Sequence, residues 1–198
     1  MAKLLLVRHA ERPDIPANTV GNEVLLTDKG KEDTRNFARS ISDPVVSIQS
    51  SPIGRCLQTA EIIADVVGIE RDDIVSNRDL GDPGFIINDA RSAWTHWQEK
   101  GHERVNQHLL SGGEQWEGFK ELDHAVKIFD TSIRKQLSKQ NEGVHIWITH
   151  DTILATYASR IMPTRLKMTQ WPRYLDFLAL ELKNGDFVYK YFNQGADD

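Results

Sequence analysis

Two histidines and three arginines stand where short apolar runs stop. Leu4-Leu5-Leu6-Val7 is followed at once by Arg8 and His9, with Arg12 one short turn later. A second β-rich run ends in Ser50-Ser51-Pro52 and leads to Arg55, and a third ends on His150-Asp151. Guanidinium groups present planar forks of donors that match phosphate oxygens, and they stay charged at any working pH. A neutral imidazole is a nucleophile. Neighbouring cations disfavour its protonated form, so Arg8, Arg12 and Arg55 would keep His9 neutral. The same cations would stabilise charge on a transferring phosphoryl group. A nearby carboxylic acid would then be needed to protonate the leaving alcohol. These parts fit phosphoryl transfer through a phosphohistidine without a metal. Each residue also has an ordinary reading: Arg8-His9 as the start of a solvated loop, Arg55 as a surface ion pair, Asp151 as a helix cap. At equivalent ends of neighbouring strands, all of those readings would have to hold together.

For the residues to converge, their strands must lie in one sheet. In an open α/β sheet, ligands bind beyond the carboxyl ends of the strands. The sequence alternates short β-rich runs with longer helical stretches, which predicts an α/β domain around a mainly parallel sheet. Strands are expected at residues 3–8, 45–50, 74–76 and 144–149. The first, with no polar alternation, reads as a central strand covered on both faces. Helices are expected at 28–41, capped by Thr27 or Asp28, at 52–67, at 114–140 and at 152–161. Within 52–67, Ile53, Leu57, Ala60, Ile63, Ala64 and Val67 recur at helical spacing and mark a buried face. Residues 81–112 are rich in glycine breakers and read as the least regular part. The chain closes with two β-rich runs around Asn184-Gly185, a strong hairpin signal.

The bulk properties narrow the class. A chain of 198 residues, 39% hydrophobic and 27% charged, is most simply one soluble domain. A formal net charge of −5 argues against broad nucleic-acid binding. The single cysteine, Cys56, rules out an internal disulfide framework and a multi-thiolate zinc site. The apolar run at the start is too short for a signal-peptide core, and no stretch approaches the roughly 20 residues needed to span a bilayer. The expectation is a cytoplasmic protein with neither a membrane nor a nucleic acid as partner; oligomeric state is left open.

The motifs resemble those of the histidine phosphatase superfamily, which includes phosphoglycerate mutases and acid phosphatases. LVRHAER at 6–12 resembles the signature Arg-His segment, and LTDKGKEDTRNFA at 26–38 its Leu-Thr-x-x-Gly helix start. SSPIGRCLQTAEII at 50–63, SGGEQW at 111–116 and ITHDTILA at 148–155 are similar to later family motifs in the same order. The resemblance implies a three-layer α/β/α sandwich, phosphoglycerate mutase-like, spanning residues 1–198 as one domain. It implies His9 as the phosphorylated residue and Arg8, Arg55 and His150 as the phosphate-binding set. Arg12 matches a third arginine of the acid-phosphatase branch. Neither metal nor cofactor is implied. Two carboxylates compete as proton donor: Asp82, in the Leu80-Gly81-Asp82 frame where the mutase-like branch has a Glu, and Asp151, which follows the second histidine as in acid phosphatases. The expected activity is hydrolysis of small phosphorylated substrates to inorganic phosphate. A phosphoglycerate-type mutase, a phosphohistidine protein phosphatase and a catalytically silent phospho-ligand binder are the alternatives. Arg12 and Ile15 depart from the mutase signature and weigh against the first of these. Residues 81–112 would be a lid or substrate-loop insertion, in which Trp94 and Trp97 either pack a helix onto the body or line a wall for the leaving group, with His96 and His102 nearby.

Overall fold

Leu4, Leu5, Leu6 and Val7 are all buried, and the pleat of their strand sends them alternately to two separate cores. In the computed structural model, which describes residues 2–16, 19–139, 142–183 and 186–193, this strand is β1 (Ala2–Arg8). It lies inside a six-stranded sheet with β2 (Val45–Ser50), β3 (Val75–Ser76), β4 (Gly143–Thr149), β5 (Phe177–Lys183) and β6 (Asp186–Phe192). The order is β3-β2-β4-β1-β5-β6. β1 pairs in parallel with β4, Leu5 opposite Ile146, and antiparallel with β5, Leu5 opposite Ala179. The sheet is thus parallel from β3 to β1 and antiparallel in the closing hairpin, whose turn at 184–185 lies outside the described residues.

Helices cover both faces. Leu5 and Val7 pack with Ile48, Ala60, Ile63 and Ile146 under α1 (Asp28–Arg39) and α2 (Gly54–Val67). Leu4 and Leu6 pack with Leu109, Phe129, Trp147 and Tyr157 under α3 (Ala90–Ser111), α4 (Leu122–Lys139) and α5 (Asp151–Ile161). No helix among the described residues is long and apolar enough to cross a membrane.

Two stretches differ from the sequence reading. The helix expected from 114 begins only at Leu122. Gly118, at φ 82°, turns the chain so closely against α3 that a Cβ there would stand 2.2 Å from the amide of Ala93. Its carbonyl accepts from the amides of Asn88 (2.8 Å) and Asp89 (3.0 Å), while Trp116 and Phe119 are buried. Conversely, much of 81–112 is helical. Asp89 caps α3 by accepting from the Ser92 amide at 2.7 Å, and a break at Gly101 (φ 77°) bends the helix. Trp97 packs on the core, its ring 5.5 Å from that of Phe119, and Trp94 stacks beside it at 6.3 Å. The packing reading of this tryptophan pair fits that geometry.

Thr27 caps α1, its hydroxyl accepting from the Gly30 amide at 2.9 Å, and its own amide donates to the Glu11 carbonyl at 3.0 Å. The first turn of α1 is therefore pressed onto the segment that follows β1. A Cβ on Gly30 would lie 2.2 Å from that same Glu11 oxygen. Gly30→Ala should cost about 1–3 kcal/mol by overpacking, read as a lower denaturation midpoint in urea at unchanged slope. A midpoint equal to wild type would show that the contact gives way freely.

Two histidines outside the sheet's carboxyl edge are held uncharged. His108 stacks on Trp116 at 3.9 Å, and burial, with Arg160 second, pulls its pKa down to about 4. His145, fully buried beside Ser47 (2.7 Å), is lowered by burial alone. Both protonate in the unfolded chain below about pH 6.5 but resist doing so when folded. Their contribution is therefore intact above pH 6.5 and is lost as pH falls. For His108 the loss should steepen to at most about 1.4 kcal/mol per pH unit at pH values well below 6.5 but above its folded value of about 4, and His145 adds a loss of the same sign. Chemical denaturation between pH 7 and 5 should show that decline, and a flat profile would contradict it.

Candidate active site

β4 lies between β1 and β2, so the carboxyl ends of three parallel strands share one edge. The ladder continues one residue past each end. The His9 amide donates to the Thr149 carbonyl at 2.9 Å and the Ser51 amide to the Ile148 carbonyl at 3.0 Å. On the other side of β1, the Arg8 amide donates to the Asp176 carbonyl at 3.0 Å. Backbone pairing thus fixes Arg8, His9 and Ser51 before any side chain is considered, and His150 follows directly on the paired end of β4 at Thr149.

His9 is 2% exposed. Its Nδ1 stands 2.8 Å from the Ala10 carbonyl, an acceptor only, so Nδ1 carries the ring proton. Nε2 is left bare and accepts from Nε of Arg55 at 3.2 Å. Burial first, then the charges of His150 and Arg8, hold the imidazole pKa well below its ordinary value; the Ala10 bond opposes them. The Ala10 amide donates to the hydroxyl of Thr59 (3.2 Å), which donates to the Arg55 carbonyl one turn earlier (2.8 Å). The His9 loop and α2 are one hydrogen-bonded unit.

Arg55, itself buried, spreads its donors over the Gly21 carbonyl (2.8 Å), His9 and Nδ1 of His150 (3.4 Å). The His150 proton then sits on Nε2, 3.0 Å from the Ser51 hydroxyl. Its ring meets that of His9 edge-on at 5.5 Å, and burial followed by Arg55 brings its pKa to about 3. Gly81 closes over this pair: a Cβ there would lie 2.5 Å from both the His150 ring and the Ser51 hydroxyl, and φ is 154°. Cys56, buried beside His150, is a thiol with its pKa pushed up to about 12 by burial.

Asp151 opens α5, and its Oδ1 accepts from the Thr152 amide at 2.9 Å. Oδ2 faces the site, 3.3 Å from Nη2 of Arg8 and 3.2 Å from the donating indole nitrogen of Trp171. Burial raises the Asp151 pKa, but Arg8, His9, Trp171 and His150 outweigh it and bring it to about 2. Arg8 also donates to the Pro172 carbonyl at 2.6 Å and lies 4.3 Å over the ring of Tyr174. Arg12 donates to the carbonyl of Pro13 (2.7 Å) and adds its positive charge to the field at Arg55 and His150. Asp82 is the outlier. Next to Gly81 but exposed, it sits at φ 62° with its carboxylate 3.6 Å from Arg78 and its carbonyl accepting from Nε of Arg78 at 2.6 Å.

The structure therefore brings His9, Arg55 and His150 into contact, pairs Arg8 with Asp151 close enough for their charges to act on both imidazoles, adds the charge of Arg12, and leaves Asp82 against Arg78. Sequence reasoning missed Thr59, Trp171 and Tyr174. Thr59 stands inside the matched 50–63 motif and could have been found there. The other two belong to a stretch with no motif. Elsewhere, a cavity of about 420 Å³ is lined by Asp123, Asp130, Arg134, Arg160 and Arg165. Its arginines are tied to its own two carboxylates.

The architecture is shared with solved phosphatases and mutases. A phosphoserine phosphatase from Entamoeba histolytica, in complex with 3-phosphoglyceric acid, superposes with a TM-score of 0.67 at 18% identity, covering 99% of this chain and 98% of that one. A mycobacterial glucosyl-3-phosphoglycerate phosphatase gives 0.64 at 12% identity over 96% and 98%. A phosphoglycerate mutase from Bacillus anthracis gives 0.62 at 14% over 96% and 92%. At these identities the likeness concerns the fold. No curated protein matches the sequence. The sequence itself, however, matches the family described as histidine phosphatase superfamily (branch 1) over residues 4–194, and with its six-stranded sheet flanked by helices the chain belongs to that superfamily.

Proposed function

We propose that the protein hydrolyses phosphomonoesters by passing the phosphoryl group to His9 and then to water. The observation that carries this is a buried, neutral imidazole whose bare Nε2 points at Arg55, with Arg8 and His150 close by. In the first step the Nε2 lone pair attacks phosphorus, the bond to the leaving oxygen breaks, and a carboxylic acid gives that oxygen a proton. In the second, the resulting carboxylate takes a proton from water as the water oxygen attacks phosphorus. The bond to Nε2 then breaks and inorganic phosphate leaves. Arg8, Arg12, Arg55 and His150 would hold the phosphoryl oxygens and stabilise their charge. The mechanism requires no metal.

Asp151 is the acid that geometry favours over Asp82. Its carboxylate touches the guanidinium of Arg8, whereas that of Asp82 is exposed and faces Arg78. Beside Arg8, Asp151 is ionised, as its low pKa requires. A phosphoryl group that takes Arg8 as its own partner weakens the main interaction holding Asp151 charged and places negative charge beside it. Both changes favour the protonated acid. Hydrolysis rather than phosphate retention is supported by Ile15, which packs against Gly21 where the mutase signature carries an Asn. Crystallised relatives hold phosphoserine and 3-phosphoglyceric acid, which supports a small phosphorylated substrate.

His9→Ala should reduce turnover of an aryl phosphate to background, and wild-type protein quenched in mid-reaction should carry acid-labile phosphate. Wild-type turnover by the purified variant would overturn the mechanism. For the acid, Asp151→Asn should slow hydrolysis of an alkyl phosphate by roughly 10²- to 10⁴-fold and that of 4-nitrophenyl phosphate far less, because the phenolate leaves without a proton. Asp82→Asn should show no such split. The reverse pattern in steady-state kinetics would transfer the assignment to Asp82.

A further inference from the structure

The segment between the turn at Met168–Gln170 and β5 matches no motif, yet it touches both charged groups of the Arg8–Asp151 pair. The Trp171 indole N–H donates to Oδ2 of Asp151, the Pro172 carbonyl accepts from Arg8, and the Tyr174 ring underlies the same guanidinium. Asp151 thus has a donor on each oxygen, Thr152 on Oδ1 and Trp171 on Oδ2, with Arg8 as a third. Two donors on opposite oxygens fix the plane of a carboxyl group. Of the three, Arg8 is the one an incoming phosphoryl group would claim.

We infer that Trp171 is a positioning residue for the general acid: it keeps the Asp151 carboxyl aimed at the leaving oxygen once Arg8 has turned to the phosphoryl group. This rests on the reading of Asp151 as the acid. An indole N–H can only donate. It cannot accept the acid's proton, so that proton is left free for the leaving group. No other side chain of the segment reaches Asp151 through a hydrogen bond among the described residues.

The test uses full-length protein and two substrates, an alkyl phosphate that needs its leaving oxygen protonated and 4-nitrophenyl phosphate, which does not. Trp171→Phe keeps an aromatic ring and removes the donor. It should lower kcat/KM for the alkyl phosphate by about tenfold, the order of one hydrogen bond to a charged group, and that for the aryl phosphate by less than about twofold. Indole donation favours the carboxylate, so its loss should also move the alkaline limb of the alkyl-phosphate pH profile upward. Trp171→His, which restores an N–H, should recover part of the alkyl-phosphate rate. In an Asp151→Asn background, Trp171→Phe should have no further effect.

Equal losses for both substrates, or the same loss with Asp151→Asn in place, would overturn the inference and make Trp171 a packing residue only. Should Trp171→Phe fail to fold, the histidine variant carries the test alone: a rate split between the substrates smaller than that of Asp151→Asn supports positioning, and equal losses refute it. Asp151→Asn with no split between the two substrates would instead remove the reading of Asp151 beneath it. Thus the two failures are told apart by which single variant behaves unexpectedly.

Discussion

One hydrogen bond, from Nδ1 of His9 to the carbonyl of Ala10, decides what the imidazole can do. It places the proton on the nitrogen that faces the backbone and leaves the other lone pair for the site. That carbonyl is positioned because the Ala10 amide is bonded to Thr59, and Thr59 to the carbonyl of Arg55. The residue that fixes the tautomer and the guanidinium that faces Nε2 therefore move together. The His9 amide is held by Thr149 at the end of β4, so ring and backbone are anchored from opposite sides. A solvated imidazole would exchange tautomers freely. Here burial and the Ala10 bond select one.

Burial and charge oppose each other around that ring. Arg8, Arg12 and Arg55 gather beside two neutral histidines, and among the described residues the only carboxylate in direct contact with any of these arginines is Asp151, on Arg8. Arg55 spends its donors on a carbonyl and two imidazoles, which satisfies its hydrogen bonds without neutralising its charge. Desolvation accordingly heads the causes that lower its pKa. Concentrating cations in a partly dry site costs stability, and an anion would relieve it. The chain's overall charge of −5 hides this entirely.

Much of this was legible in the sequence because it depends on strand ends. An unbroken apolar run had to be a central strand, and whatever followed it had to stand at the sheet's edge. The same logic located Ser51, Arg55 and His150. Gly30 was legible only as part of a pattern; the physical reason is the Glu11 carbonyl against which it lies. The helix expected from 114 starts only at Leu122 because Gly118, pressed against Ala93 at positive φ, forms a turn there, a contact that spacing does not encode. The choice between Asp82 and Asp151 was not legible. It rests on side-chain direction, which spacing does not encode: both follow a residue packed in the site, but one turns toward Arg8 and the other toward Arg78. Trp171 was invisible for a related reason, since its partner is 20 residues away and is reached through an irregular loop.

The site is consequently assembled from two differently anchored halves. Arg8, His9, Ser51 and His150 hang from the ends of parallel strands inside the sheet, where backbone pairing leaves little freedom. The segment that holds Asp151 and underlies Arg8 is tied instead to the antiparallel hairpin. The Tyr191 hydroxyl donates to the Gln170 carbonyl (3.0 Å), and the Asn193 amide donates to that carbonyl (3.2 Å) and to Asp176 (2.8 Å). Asp176 in turn accepts from the Arg173 amide at 2.6 Å. β6 is an edge strand, less constrained than β1 or β4. Changes in the hairpin can therefore shift the carboxylate and the stacking ring relative to His9 while leaving the imidazole, its tautomer and Arg55 in place. In physical terms the orientation of the His9 imidazole belongs to the core of the fold, and the setting of the Asp151 carboxylate belongs to its edge.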